Sequence, residues 1–204
     1  MKTSMRLSDY RPGFDLPLPL MPNGEAARVT PAELAAAASR RTILASFKGI
    51  CQPKSMRPEL SRMHDGKSLI MLCTEKTQSK HWDYKTLMLS SVFAVAPAGN
   101  GLHSFRLVEA IFFGAIPVIV DDEVILPFCS VLDWRRFSVR IRQSQIRQLP
   151  EILRRIPRER IAEMQARLAV VKRKFLLFPF NTAMALMNVR VKEALAAKGV
   201  PPAG

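Results

Sequence analysis

Short apolar runs alternate with helix-like segments along most of the chain, and each run ends at glycine, proline or charge. We interpret five of these runs as β-strands, over residues 42–47, 68–73, 92–96, 116–120 and 137–141. Strands that are short and apolar throughout are typical of a parallel sheet covered on both faces. The pattern therefore predicts an α/β fold with helices on both faces of a parallel sheet.

The segments between and after these runs carry helix signals. Thr30 is a good N-cap, Pro31 suits a first helical turn, and residues 31–40 predict a helix. Apolar residues at helical spacing predict further helices, over residues 57–63, 84–89, 105–114, several stretches after residue 150, and 182–197.

Residues 1–30 differ from the rest of the chain. Pro12, Pro17, Pro19 and Pro22 lie within this stretch, and proline at such density disfavours regular helix. We predict a linker or extended arm over residues 1–30, followed by one domain over residues 31–200.

Composition narrows the class of protein. Hydrophobic residues make up 48% of the 204 residues, which excludes a disordered chain. No apolar run is long enough to span a membrane, and the first twenty residues do not resemble a signal peptide. We predict that Cys51, Cys73 and Cys129 are buried free thiols, not a disulfide framework or a zinc site.

The formal net charge is +14, and residues 135–175 contribute most of it, with thirteen basic and three acidic side chains. Such a stripe indicates a polyanion partner, such as nucleic acid, anionic lipid, acidic glycan or nucleotide phosphate. A solvated helix face is the alternative, and the sequence leaves both open. Specific nucleic-acid binding is disfavoured, because no DNA- or RNA-binding motif is present.

The segment from Pro97 to Gly114 carries the clearest chemistry. A glycine loop containing Gly99 follows a predicted strand and leads to Ser104, which would cap the next helix. Free N–H groups at that helix start and the guanidinium of Arg106 suit a diphosphate. Glu109 could accept hydrogen bonds from a ribose, although an Arg106–Glu109 salt bridge is the structural alternative. The spacing matches neither a nicotinamide-binding motif nor a P-loop.

The same region resembles the C-terminal half of exostosin-type glycosyltransferases, which form glycosyltransferase family 47. The family pattern consists of a strand ending in proline, a glycine loop, S-x-R-x-x-E-A, G-x-x-P-V, an Asp-containing loop, L-P-F and D-W followed by F-S-V. The matching positions are Pro97, Gly99, Ser104, Arg106, Glu109, Ala110, Gly114, Pro117, Val118, Asp121, Leu126, Pro127, Phe128, Asp133, Trp134, Phe137, Ser138 and Val139.

This resemblance implies the Rossmann-like C-terminal half of a GT-B fold, which binds a nucleoside-diphosphate sugar. It implies inverting transfer to a glycan acceptor, with no metal and no other cofactor, in the Golgi apparatus. Ser104 and Arg106 would contact the diphosphate, Glu109 the ribose, and Gly99 would permit close approach.

Weaker assignments follow from the same likeness. Arg57 would be a second phosphate ligand, and Asp121 and Asp122 would line the pocket mouth near the sugar. His103 is a candidate general base, or simply a loop hydrogen bonder, and the catalytic residue stays unknown.

The length of the chain supplies about one of the two domains that the resemblance implies. We therefore expect an N-terminal acceptor domain, with the membrane anchor and the base, to belong to a longer enzyme. The alternative function is a non-catalytic basic module that binds an acidic polymer.

Overall fold

The computed structural model of the chain describes residues 5–22, 24–51, 55–73, 82–98 and 104–197. Within these residues the strands form a single parallel sheet with helices packed around it, which confirms the predicted α/β class. The strands are β1 (Ile43–Gly49), β2 (Leu69–Cys73), β3 (Ser91–Pro97), β4 (Ile116–Val120) and β5 (Val139–Ile141). The helices are α1 (Pro31–Ala38), α2 (Arg57–Ser61), α3 (Tyr84–Ser90), α4 (Phe105–Phe112), α5 (Leu149–Arg154), α6 (Arg158–Val171) and α7 (Pro179–Ala197).

The strand order is β2-β1-β3-β4-β5, with every neighbouring pair parallel. From β1 the chain moves outward to β2, then returns to build β3, β4 and β5 on the other side of β1. This is a doubly wound, Rossmann-like order, whose direction reverses between β1 and β3. Ligands of such sheets bind at the carboxyl ends of the strands beside that reversal.

Strand ends differ slightly from the sequence pattern. The strand predicted over residues 42–47 continues through Lys48 and Gly49, because these residues pair with Leu72 and Cys73 of β2. The fifth strand begins only at Val139, because the preceding residues form a 3₁₀ turn over Trp134–Arg136.

Helix α4 has the ends that its sequence predicts. The Ser104 hydroxyl accepts a hydrogen bond from the backbone N–H of Arg106 at 3.3 Å. At the other end Gly114 has a positive φ of 68°, and Ala115 N–H donates to the Ala110 carbonyl at 2.9 Å. Together with the bond from Gly114 N–H to the Ile111 carbonyl at 3.1 Å, this bond forms a Schellman motif, for which glycine is favoured because it lacks a Cβ. The helix between them is largely buried against β3 and β4.

Helix α1 also begins as predicted. Thr30 and Glu33 form a reciprocal capping box, which satisfies two backbone N–H groups at the helix start. The ion pair with Lys85, reinforced by the hydrogen bonds from Thr30, lowers the pKa of Glu33 to about 2.

The proline-rich arm lies on the domain. Leu16 is buried, the backbone N–H of Phe128 donates to the Pro17 carbonyl at 3.0 Å, and Ile125 N–H donates to the Met5 carbonyl at 3.0 Å. The arm contains 3₁₀ turns at Leu7–Asp9 and Ala26–Arg28, and its side chains Leu16, Leu18 and Met21 join the main core.

Across the described ranges, no helix combines the length and the apolar character needed to cross a membrane.

Candidate functional site

A cavity of about 460 Å³ opens at the carboxyl end of β1, where the sheet order reverses. The end of β1, the first turn of α3 and the first turns of α4 surround it. Its lining residues are Lys48, Gly49, Ile50, Tyr84, Phe105, Arg106 and Glu109. Two of the sequence-predicted site residues, Arg106 and Glu109, thus face one cavity.

The Arg106 guanidinium is held in place by the strand beneath it. Its Nε and one Nη donate to the Lys48 carbonyl at 2.9 and 2.7 Å. The guanidinium carbon lies 5.2 Å from the centre of the Phe47 ring, within cation–π range. Gly49 permits this position, because a Cβ at residue 49 would collide with the guanidinium.

The predicted alternative of an Arg106–Glu109 salt bridge is wrong. Among the described residues no carboxylate lies within ion-pair distance of Arg106. The Arg106 charge is therefore bound to a neutral carbonyl and an aromatic ring, and it stays available to an anion.

Arg57 lies beside Arg106 on the same aromatic ring. Its guanidinium carbon is 5.7 Å from the Phe47 ring centre, and an Nη donates to the Ile50 carbonyl at 2.7 Å. The side chain is largely buried, and its Nε has no hydrogen-bond partner in the described parts of the chain. Burial and the charge of Arg106 both lower the pKa of Arg57.

Two guanidinium groups on one ring, with a buried unpartnered N–H, form an incomplete arrangement. Buried polar groups are nearly always paired, and like charges raise each other's energy. A ligand with several anionic oxygens would relieve both problems at once.

Tyr84 fixes the carboxylate of Glu109. The phenolic O–H donates to Oε2 of Glu109 at 2.5 Å, and the ring packs edge-on against Phe113 at 6.0 Å. Burial and the adjacent carboxylate raise the pKa of Tyr84 well above its usual value. Sequence reasoning did not single out Tyr84 as a site residue, because no local spacing connects it with Glu109.

The structure places the remaining predicted residues in other settings. Ser104 caps α4 directly before the cavity. Gly99 and His103 lie outside the described residues. Among the described residues no cluster of three His, Cys, Asp or Glu side chains is arranged to hold a metal ion.

Asp121 and Asp122 follow β4, two strands away from β1 in the sheet. An Asp121 oxygen accepts from the backbone N–H groups of Glu123 and Val124 at 2.8 and 2.7 Å, so this carboxylate closes its own turn. Asp122 accepts from Gln143 N–H at 3.3 Å. Neither aspartate lines the cavity, and their roles near a sugar stay predictions.

The prediction of free thiols at Cys51 and Cys73 is wrong, because these two residues form a disulfide. Cys73 ends β2 opposite Gly49, and Cys51 lies two residues beyond Gly49. The parallel pairing of β1 and β2 therefore brings the two Cα atoms to 5.1 Å, within the range of a disulfide. Cys129 is a free thiol, as predicted, but it is only partly buried.

Comparison with known proteins identifies the family of the chain. A profile of the Exostosin GT47 domain matches residues 1–156, which is most of the chain. The chain belongs to the exostosin GT47 family. This membership confirms the resemblance inferred from the Pro97–Val139 pattern.

Relatives of the chain are named exostosins or probable glycosyltransferases. The chain is 29% identical over 199 residues to Exostosin-1 of Drosophila melanogaster, and this alignment covers 85% of the chain and 26% of that protein. A probable glycosyltransferase of Arabidopsis thaliana is 36% identical over 137 residues, covering 67% of the chain and 29% of the relative. A probable glucuronosyltransferase of Oryza sativa subsp. japonica is 32% identical over 170 residues, with 78% and 40% covered.

The chain thus spans about a quarter to two fifths of the lengths of these relatives. Two of these three relatives carry names of probable glycosyltransferases, and the family model covers residues 1–156 of the chain.

Proposed function

We propose that this chain forms the donor-binding domain of an exostosin-type glycosyltransferase, and that it binds a nucleoside-diphosphate sugar. The observation that carries the proposal is the Arg106 guanidinium, which lines the cavity beside the sheet's reversal point, while the Arg57 guanidinium lies on the same Phe47 ring. Family membership supports the same class of reaction.

The diphosphate is the part of the donor that this arrangement suits. Among the described residues, the Arg106 Nη1 group has no hydrogen-bond partner, and the Arg57 Nε has none either. The first turn of α4 adds backbone N–H groups, of which that of Arg106 is bound by the Ser104 hydroxyl. These donors would surround phosphate oxygens next to the glycine loop.

The ribose would lie against Glu109. Its carboxylate is oriented by Tyr84 and borders the same cavity as Arg106, so one oxygen can accept from a ribose hydroxyl while the other accepts from Tyr84. A fixed acceptor in the same cavity as Arg106 would favour a nucleoside diphosphate over free phosphate.

The proposed chemistry is inverting transfer to a polysaccharide or glycoprotein acceptor in the Golgi. As the bond between the anomeric carbon and the diphosphate oxygen breaks, negative charge develops on the departing nucleoside diphosphate. Arg57 and Arg106 would stabilise that charge in a partly buried site, where such interactions are strong. The acceptor hydroxyl needs a base within hydrogen-bond reach, and we propose that an acceptor domain outside this chain provides it.

Titration calorimetry of the chain with uridine and guanosine diphosphates tests the proposal. We expect the unchanged chain to bind at least one of them and Arg106→Ala to lose binding by roughly a hundredfold, because a charge-assisted hydrogen bond disappears. Arg106→Lys keeps the charge without the planar fork, so we expect intermediate affinity.

Arg62→Ala is the matched control, since Arg62 is an exposed arginine beyond the end of α2 and away from the cavity lining. If the unchanged chain binds neither nucleotide, or if Arg106→Ala and Arg62→Ala bind equally well, the proposed donor site is excluded.

A further inference from the structure

Helix α4 presents an aromatic ring to the candidate donor cavity. Phe105, the first residue of the helix, lines this cavity together with Arg106 and Glu109. Phe105 is 46% exposed, whereas most of the residues that follow it in α4 are buried. The exposure therefore belongs to this position and is not a property of the whole helix.

The Phe105 ring takes no part in the core that the described residues form. It belongs to neither of their hydrophobic clusters. Within the described ranges it also pairs with no other aromatic ring and with no cation. Aromatic side chains are mostly buried in folded proteins, and those that line a ligand cavity are typical contacts of the ligand. The position of this ring therefore points to a flat or apolar part of the ligand.

The order of three side chains around α4 matches the order of the parts of a nucleotide. At 3.6 residues per turn, Phe105 and Arg106 lie about 40° and about 60° away from Glu109 around the helix axis, on opposite sides of it. The carboxylate thus stands between the ring and the cation. In a nucleoside diphosphate, the ribose likewise stands between the base and the diphosphate.

We propose that Phe105 is the platform on which the nucleobase of the donor stacks. This inference rests on the proposed function, which assigns the diphosphate to Arg106 and the ribose to Glu109. With those two parts in place, the base extends from the ribose toward the side of α4 that carries Phe105. The base and the phenyl ring are both flat, and stacking removes apolar area of both from water.

The donor sugar is the other part of the ligand to which an aromatic ring is suited, and the order of the side chains disfavours it. The sugar is bonded to the far phosphate, so it lies beyond Arg106 as seen from Glu109. Phe105 lies on the opposite side of Glu109. The ring therefore contributes to affinity for the nucleotide and does not distinguish one sugar from another.

Calorimetric titration of Phe105→Ala tests this proposal with three ligands: the nucleoside diphosphate that the unchanged chain binds, its glucose ester, and inorganic pyrophosphate. We expect the first two to bind roughly tenfold more weakly, because the stacking contact is lost. Pyrophosphate affinity should be unchanged, because pyrophosphate has no base. The exposed position should tolerate alanine, and circular dichroism checks the fold.

Two further substitutions separate stacking from apolar bulk. Phe105→Trp keeps a flat ring and should bind at least as tightly as the unchanged chain. Nucleotide should quench its added indole emission, beyond any change shown by the two native tryptophans. Phe105→Leu keeps apolar bulk without a flat face, so we expect it to lose nearly as much affinity as Phe105→Ala.

Phe14→Ala is the matched control, because Phe14 is an exposed phenylalanine of the proline-rich arm and does not line the cavity. It should bind all three ligands like the unchanged chain.

Several results would overturn the stacking role. Equal nucleotide affinity of Phe105→Ala and the unchanged chain would exclude it while leaving the donor site intact. A loss confined to the glucose ester would assign the ring to the sugar, and an equal loss for pyrophosphate would mean that the substitution disturbs the start of α4. Full affinity in Phe105→Leu would reduce the ring to an apolar surface. An unchanged chain that binds no nucleotide would exclude the donor site itself, and this inference with it.

Discussion

The side chain of Phe47 supports both arginines of the candidate site. Its ring lies within 6 Å of two guanidinium carbons, those of Arg57 and Arg106, and it keeps these like charges at fixed positions beside β1. The neighbouring Gly49 leaves the space that Arg106 occupies. At the scale of single residues, the positions of the two arginines, which are the proposed phosphate ligands, therefore depend on an uncharged aromatic ring and on the absence of a Cβ at Gly49.

Tyr84 is the residue whose effect on ligand choice we can predict. Tyr84→Phe removes the hydrogen bond that orients Glu109 but leaves both arginines and Phe47 unchanged. We expect nucleoside diphosphate affinity to fall about tenfold while affinity for inorganic pyrophosphate is unchanged, because only the nucleoside needs Glu109.

Parallel calorimetric titrations with the two ligands measure this difference. Tyr10→Phe, in the proline-rich arm, is the matched control and should change neither affinity. An equal loss for both ligands would mean that Tyr84 supports the whole cavity and does not position Glu109 for a ribose.

At the scale of elements, the site depends on where neighbouring strands end. The loop after β1 provides the Ile50 carbonyl that holds Arg57, and the Cys51–Cys73 disulfide joins this loop to the end of β2. Cys73 Sγ also lies 3.4 Å from the Arg57 carbonyl. The disulfide therefore restrains the loop whose carbonyl holds the Arg57 side chain, and it also contacts the backbone of Arg57 itself.

Removing this disulfide should reduce stability. Cys51 and Cys73 are 22 residues apart in sequence, and a loop of that length predicts that the crosslink contributes about 3 kcal/mol. We expect a Cys51→Ser/Cys73→Ser variant to lose about that much free energy of unfolding in urea, and reductant to have the same effect on the unchanged chain.

Cys129→Ser serves as the control, because Cys129 is a free thiol and its variant should keep its sensitivity to reductant. An unfolding curve that stays the same after reduction, with reduction verified by mass spectrometry, would contradict this prediction.

On the scale of the whole molecule, the proline-rich arm is part of the packed structure. Leu16 is 3% exposed in the main core, whereas Phe14, two residues earlier, is 83% exposed. Backbone hydrogen bonds join the arm to the segment after β4 at Leu7 and at Pro17. The arm therefore covers the domain near the Asp121 turn.

The pair Leu16 and Phe14 allows a test of this packing. We expect Leu16→Ala to lower the free energy of unfolding by about 2–5 kcal/mol, because a buried side chain is replaced by a cavity. Phe14→Ala should change it by less than about 0.5 kcal/mol, as an exposed substitution does. Urea unfolding monitored by circular dichroism measures both, and equal effects of the two substitutions would contradict the packing of the arm.

The sequence by itself determined the elements and the ends of the central helix. Apolar runs predict each strand to within a few residues, and Ser104 and Gly114 predict the cap and the Schellman end of α4. These signals are local, because a strand or a helix end depends on residues close together in sequence. The family motif around Arg106 and Glu109 is local for the same reason.

Only the tertiary structure decided which distant residues meet. The strand order brings Arg57 beside Arg106, Tyr84 against Glu109, and Cys51 against Cys73. Such contacts join segments far apart in the chain, and hydrophobic periodicity specifies which face of an element is buried without specifying its partner.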